Sequence, residues 1–100
     1  MRGKFGLIIN DSRPVIVDFH ALWCGPCKVQ SPILTEVTAE FGDKVRVIKI
    51  NVDQNNVLSA QYQILSVPTL IVFKNGKPVW RQSGVVTKAI LKNVVTQYLV

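Results

Sequence analysis

Three apolar runs punctuate the chain. Val15-Ile16-Val17-Asp18-Phe19 is short, β-branched and nearly continuous, which suits a central strand covered on both faces. Residues 45–52 form a second run, broken only by Arg46, Lys49 and Asn51, and Thr69-Leu70-Ile71-Val72-Phe73 is the third. Between the first two, Ile33, Leu34, Val37 and Phe41 share one helical face, and Gly42 is a natural terminator. Pro32 lies inside that helix and is expected to kink it. The polar corner Asp53-Gln54-Asn55-Asn56 caps a short helix over 57–62. Asn75-Gly76 is a two-residue hairpin turn that returns the chain antiparallel over 79–83. Gly84 then marks a bulge or a close backbone approach. A last helix starts near Thr87 and buries Ile90, Leu91, Val94, Val95 and Tyr98. The order β-α-β-α-β-β-α predicts an α/β fold, a mixed central sheet with helices on both faces.

Composition narrows the function classes. One hundred residues, 48% of them apolar and 18% charged, fit one globular domain over 1–100, and no repeat, low-complexity tract or linker divides it. No apolar stretch approaches a membrane span. Phe5-Gly6-Leu7-Ile8-Ile9 is also too short for a secretory core and precedes no cleavage site, so the expectation is a soluble intracellular protein. Twelve basic against six acidic residues give +6, but the positive charges are scattered from Arg2 to Lys92. Nucleic-acid binding needs a focused patch, so the charge points to solubility and a mild preference for acidic partners.

Two cysteines are too few for the framework of a secreted mini-protein. They flank Gly25-Pro26 where a strand leads into a helix, and Pro26 is tolerated in the first helical turn. At a helix N-terminus the unpaired N–H groups and the dipole favour thiolate over thiol, and thiolate is the reactive species. Cys24 is therefore expected to be the exposed nucleophile and Cys27, one turn on, the more buried resolving thiol. Inert core cysteines are the rival, against which Gly25 and Pro26 argue. A zinc site completed by His20 or Asp18 matches no familiar four-ligand spacing; no metal is expected. Asp18, in mid-strand, is costly to bury and should have a raised pKa unless it reaches solvent at the strand edge.

Trp23-Cys24-Gly25-Pro26-Cys27-Lys28, preceded by Val17-Asp18-Phe19, resembles the active-site stretch of the thioredoxin family. Ser31-Pro32-Ile33-Leu34, Asn51-Val52-Asp53, Val67-Pro68-Thr69-Leu70 and Phe73-Lys74-Asn75-Gly76 follow that family's pattern in order and spacing, so the resemblance covers roughly residues 14–100. It implies a thioredoxin fold, with the N-terminal strand or helix abbreviated because the segment before Asp18 is short. His20 and Leu22 depart from frequent family choices; His20 is shared with mitochondrial-type members, and Leu22 enlarges the apolar rim.

The resemblance implies a protein-disulfide reductase in which Cys24 attacks and Cys27 resolves. Asp18 would exchange a proton with Cys27, and Lys49 would lie close to Asp18, with a side chain that snorkels to the surface as the alternative. Gly25 and Pro26 would tune the redox pair. Trp23, Gly25, Pro26, Val67, Pro68, Gly84 and Val85 would form the docking rim, with a cis bond at Val67-Pro68. The implied partners are disulfide-containing proteins and a flavin- and NADPH-dependent thioredoxin reductase. The chain itself is expected to need no cofactor and to work as a monomer in the cytoplasm, or in the mitochondrial matrix after removal of a targeting segment. An oxidant or isomerase of the same fold usually carries His between its cysteines; a non-catalytic binding or holdase subunit would not need Cys24, Cys27 and Asp18 intact.

Overall fold

The structure is a computed structural model that describes residues 3–99. Its elements are α1 (Gly3–Ile9), β1 (Val15–His20), α2 (Gly25–Phe41), a 3-10 turn (Gly42–Lys44), β2 (Arg46–Asn51), α3 (Asn56–Gln61), β3 (Thr69–Lys74), β4 (Lys77–Ser83) and α4 (Lys88–Gln97). The sheet order is β2-β1-β3-β4. β1 runs parallel to β2 and antiparallel to β3, and β3 is antiparallel to β4. The predicted mixed sheet is therefore present, with helices packed on both faces.

Alternation along β1 divides two cores. Val15, Val17 and Phe19 face one side, where Phe5 of α1 and Leu58 and Tyr62 of the α3 region pack on them. Ile16 faces the other, with Leu34 and Val37 of α2 and Leu91, Val94 and Val95 of α4. Asp18 shares the face of Ile16, beneath α2. Among the described residues the segment before β1 holds α1 and no strand. Phe5 anchors this helix, its ring 5.7 Å from those of Tyr62 and Phe73.

Several local expectations are corrected. α2 ends at Gly42 with φ 59°, as the terminator requires, and Pro32 does not divide it. Asn55 is the N-cap residue of α3, but no side-chain bond caps that helix. Instead Asn51 Oδ1 accepts from the backbone N–H groups of Asp53 and Gln54, and Asn55 Nδ2 donates to Asn51 O. Asn75 and Gly76 have φ 52° and 82°, fitting the tight hairpin. β4 begins at Lys77, before the expected start, and Pro78 is tolerated because β4 is an edge strand. The bulge lies at Val79, opposite Val72/Phe73, not at Gly84. Gly84 meets nothing within 4 Å of a Cβ position, so φ +85° is its requirement, not a close approach. Thr87 caps α4 by accepting from Ile90 N–H. Ile90 is 41% exposed rather than buried, because the buried stripe of α4 runs through Leu91, Val94 and Val95.

Candidate active site

Cys24 and Cys27 are joined in a disulfide with Cα atoms 5.3 Å apart. Cys24 is the N-cap of α2, in extended backbone, and its Sγ accepts from Cys27 N–H at 3.1 Å. A sulfur in this position meets a backbone donor and the positive end of a 17-residue helix. The expectation of an exposed Cys24 and a more buried Cys27 is overturned: they are 3% and 5% exposed. The cover comes from a distant loop, since Cys24 Sγ lies 3.7 Å from the carbonyl oxygen of Val67. Ala21, Val52 and Val67 complete the cluster around the pair.

The Val67-Pro68 bond is cis. Gly84 N–H donates to Pro68 O at 2.8 Å, which joins the end of β4 to this loop. Trp23, Gly25, Pro26, Gly84 and Val85 are exposed, Val67 is half-buried and Pro68 is buried. Six of the expected rim residues are thus at least partly accessible, and Pro68 supports them from below. Leu22, Trp23 and Leu65 stand out as exposed apolar side chains on this side of the molecule. Trp23 also lines a shallow groove of about 130 Å³ with Val52, Ile64, Leu65, Ser66 and Val67. Its indole N–H donates to Asp53 Oδ2 at 2.8 Å, which holds the ring in place.

Asp18 is 1% exposed, and its Oδ1 has no hydrogen-bond partner. Burial pushes its carboxyl above the usual carboxylate range, opposed by the charges of His20 and then Lys49. The strand-edge alternative is excluded, because β1 has neighbours on both sides. Lys49 sits directly across from Asp18 in the β1–β2 register. It is exposed, and its ammonium donates to Ser31 Oγ on α2. The snorkelling alternative for Lys49 therefore describes its side chain, while its charge still acts on Asp18. Among the described residues no cluster of three or more His, Cys, Asp or Glu side chains is arranged to hold a metal ion, and no helix is long and apolar enough to cross a membrane.

Three residues of the site went unread in the sequence. Asp53 orients Trp23, and Ser31 holds Lys49. Gln30 is 0% exposed on α2 and bonds the backbone of Val86. Asp53 and Ser31 stand in the motifs Asn51-Val52-Asp53 and Ser31-Pro32-Ile33-Leu34, but nothing local shows their contacts. Gln30 shares a helical stripe with Cys27, Leu34 and Val37, and a polar residue in such a stripe needs a buried partner.

Comparison with known proteins agrees with this arrangement. The family model described as Thioredoxin matches residues 2–97. Thioredoxin from Haemophilus influenzae is 42% identical over 93 residues, which cover 93% of this chain and 87% of that protein. Thioredoxin from Mycolicibacterium smegmatis is 48% identical over 86 residues, covering 84% of this chain and 77% of that one. Among solved structures, a point mutant of thioredoxin from Halobacterium salinarum NRC-1 superposes with a TM-score of 0.86 at 32% identity, over 97% of this chain and 84% of that chain. Oxidised mitochondrial thioredoxin 3 of Saccharomyces cerevisiae gives 0.84 at 26% identity, over 94% and 87%. With its cysteine pair capping a helix beside a cis-proline loop, and with these relatives, the chain belongs to the thioredoxin family of protein-disulfide oxidoreductases.

Proposed function

We propose that residues 1–100 act as one domain that delivers electrons to protein disulfides, with each site residue in the role its position favours. Cys24 thiolate attacks a substrate sulfur, a mixed disulfide forms, and the first substrate thiolate leaves. Cys27 passes its proton to the Asp18 carboxylate and attacks Cys24 Sγ. The second substrate thiolate leaves and takes up a proton. The substrate disulfide is thereby reduced by two electrons and the Cys24–Cys27 dithiol is oxidised to the bridge. Lys49 moderates the carboxyl of Asp18. Trp23, Val67, Pro68, Gly84 and Val85 form the docking rim, where the Val67 carbonyl offers a backbone acceptor next to the sulfur.

The observation that carries the direction of electron flow is the modest support of Cys24 Sγ: one backbone N–H at 3.1 Å and the helix terminus, with Gly25-Pro26 and no histidine between the cysteines. Strong thiolate stabilisation makes a pair oxidising, and modest stabilisation keeps the disulfide favoured and the dithiol reducing. A reductant of this kind works as a monomer in a reducing compartment, the cytoplasm or the mitochondrial matrix, and is renewed by a flavin- and NADPH-dependent thioredoxin reductase. Equilibration with glutathione redox buffers, scored by alkylation of free thiols, tests the reading. The expected potential lies in the reducing range; a value near that of strongly oxidising periplasmic enzymes overturns it and favours the oxidant of the same fold.

A further inference from the structure

We propose that Gln30 is a positioning residue that fixes the substrate-docking backbone against the helix carrying Cys24. The inference rests on the docking role proposed for Gly84 and Val85.

Gln30 lies one turn beyond Cys27 on α2 and is wholly buried. Its Oε1 accepts from Val86 N–H at 2.7 Å, and its Nε2 donates to Val86 O at 3.1 Å. The two bonds fix the orientation of the amide, because the N–H of Val86 requires the oxygen. Val86 lies between the end of β4 and the start of α4 and belongs to no strand. Its buried backbone groups therefore depend on this side chain, and losing it would leave them unpaired.

The chain of contacts continues to the reactive sulfur. Val86 follows Gly84 and Val85 directly; Gly84 N–H holds Pro68 O; Val67 O lies 3.7 Å from Cys24 Sγ. Gln30 thus closes a ring that runs from α2 through the end of β4 and the cis-proline loop back to the N-terminus of α2. Without it, Gly84 and Val85 keep their link to Pro68, and the Val86 side chain stays in the core with Leu34 and Val37, but the hydrogen bonds that fix this backbone on the helix carrying the sulfur are lost. A substrate that lies along this backbone needs both in fixed relation, whereas a small disulfide needs only the sulfur.

The test compares Gln30→Met, which removes both bonds at similar volume, with Gln30→Asn, which stays polar but is too short to span them and serves if the first variant fails to fold. Pre-reduced protein is mixed with insulin at increasing concentration and, separately, with 5,5′-dithiobis(2-nitrobenzoate). The half-saturating insulin concentration is expected to rise about tenfold, in keeping with the penalty for buried unpaired backbone groups, while the rate with the small disulfide changes less than about twofold, because that substrate needs only the sulfur. Hydrogen exchange at Val86 N–H should accelerate relative to Leu91 N–H, which is bonded to Thr87 O. A folded variant with unchanged insulin saturation, or with equal losses on both substrates, overturns the proposal. Val85→Glu separates the two readings: if it raises the half-saturating concentration and the Gln30 variants do not, only the role of Gln30 falls. If Val85→Glu also changes nothing, the docking surface falls and this inference falls with it.

Discussion

Asp18 and Lys49 are register partners on adjacent parallel strands, yet the lysine ammonium turns away to Ser31 Oγ and leaves Asp18 Oδ1 without a hydrogen bond. A carboxyl held this way is costly when ionised and useful when it must trade a proton. The two properties separate experimentally.

Asp18→Asn should stabilise the protein while slowing it. The native state holds its Asp18 proton to higher pH than the unfolded chain, because burial raises the pKa. Between the two pKa values the native state binds more protons, so stability falls as pH rises through that window. Asn carries no charge to desolvate, so the variant should be more stable than the native protein at pH 7 and lose that dependence. The same variant should resolve mixed disulfides about 10²-fold more slowly, as for loss of a general base, with initial attack little changed. Denaturant titrations between pH 4 and 8, together with stopped-flow traces, check both. Unaltered resolution at pH 7 would remove Asp18 from the mechanism.

Cys27→Ser should accumulate a mixed disulfide with substrate, and Cys24→Ser should not. Exposure does not distinguish the sulfurs, at 3% and 5%. Position does: Cys24 Sγ is the helix cap that accepts a backbone N–H, which favours its thiolate. Mass spectrometry of alkylation-quenched reactions reads the adducts, and adducts formed mainly on Cys27 would reverse the order.

Arg13 should stabilise the turn before β1 only where Asp11 is ionised. Arg13 side-chain and backbone donors lower the Asp11 pKa to about 2, and Asp11 O also accepts from Asn75 N–H of the hairpin. Stability from the pair is fully present above the unfolded value of 3.8 and is lost as pH falls through the native value. Arg13→Ala should therefore lower Tm at pH 7, with the difference closing toward pH 2. A Tm difference that persists unchanged at low pH would show that packing, not charge, accounts for it.

The parts of this architecture that were legible are those whose signal is local. The buried strands declared themselves by continuous β-branched runs, α2 by its stripe and Gly42, and the hairpin by Asn75-Gly76. The cysteine pair did so by its place between strand and helix. What escaped depends on contacts distant in sequence. Cys24 is covered by Val67, 43 positions away, so a helix N-terminus that looks open along the chain is closed in space. The corner expected to cap α3 does not cap it; Asn51, at the end of β2, instead ties down the turn before the helix by accepting from Asp53 and Gln54 N–H. The short α1 has no acidic first turn or basic last turn to announce it, and Phe5 packing on Tyr62 and Phe73 holds it instead.

The pH dependence of resolution should respond in opposite directions to the two residues that set the lysine charge. Lys49 opposes the burial that raises the Asp18 pKa. In Lys49→Met that opposition is gone, so a larger fraction of Asp18 stays protonated at a given pH and cannot take the Cys27 proton. The midpoint of the resolution rate should move to higher pH. In Ser31→Ala the ammonium loses the hydroxyl that draws it onto α2, and the nearest buried carboxyl is its register partner. Moving the charge closer favours ionised Asp18, so the midpoint should move to lower pH. Because Lys49 is solvent-exposed, water screens the interaction, and each change should alter the rate at fixed pH by about two- to fivefold, the range of an exposed pair worth up to about 1 kcal/mol. Single-turnover resolution of a preformed mixed disulfide on Cys24, followed from pH 5 to 9, reads the midpoint directly. Shifts in the same direction for both variants would mean that Ser31 acts through α2 packing rather than by holding the ammonium away from Asp18.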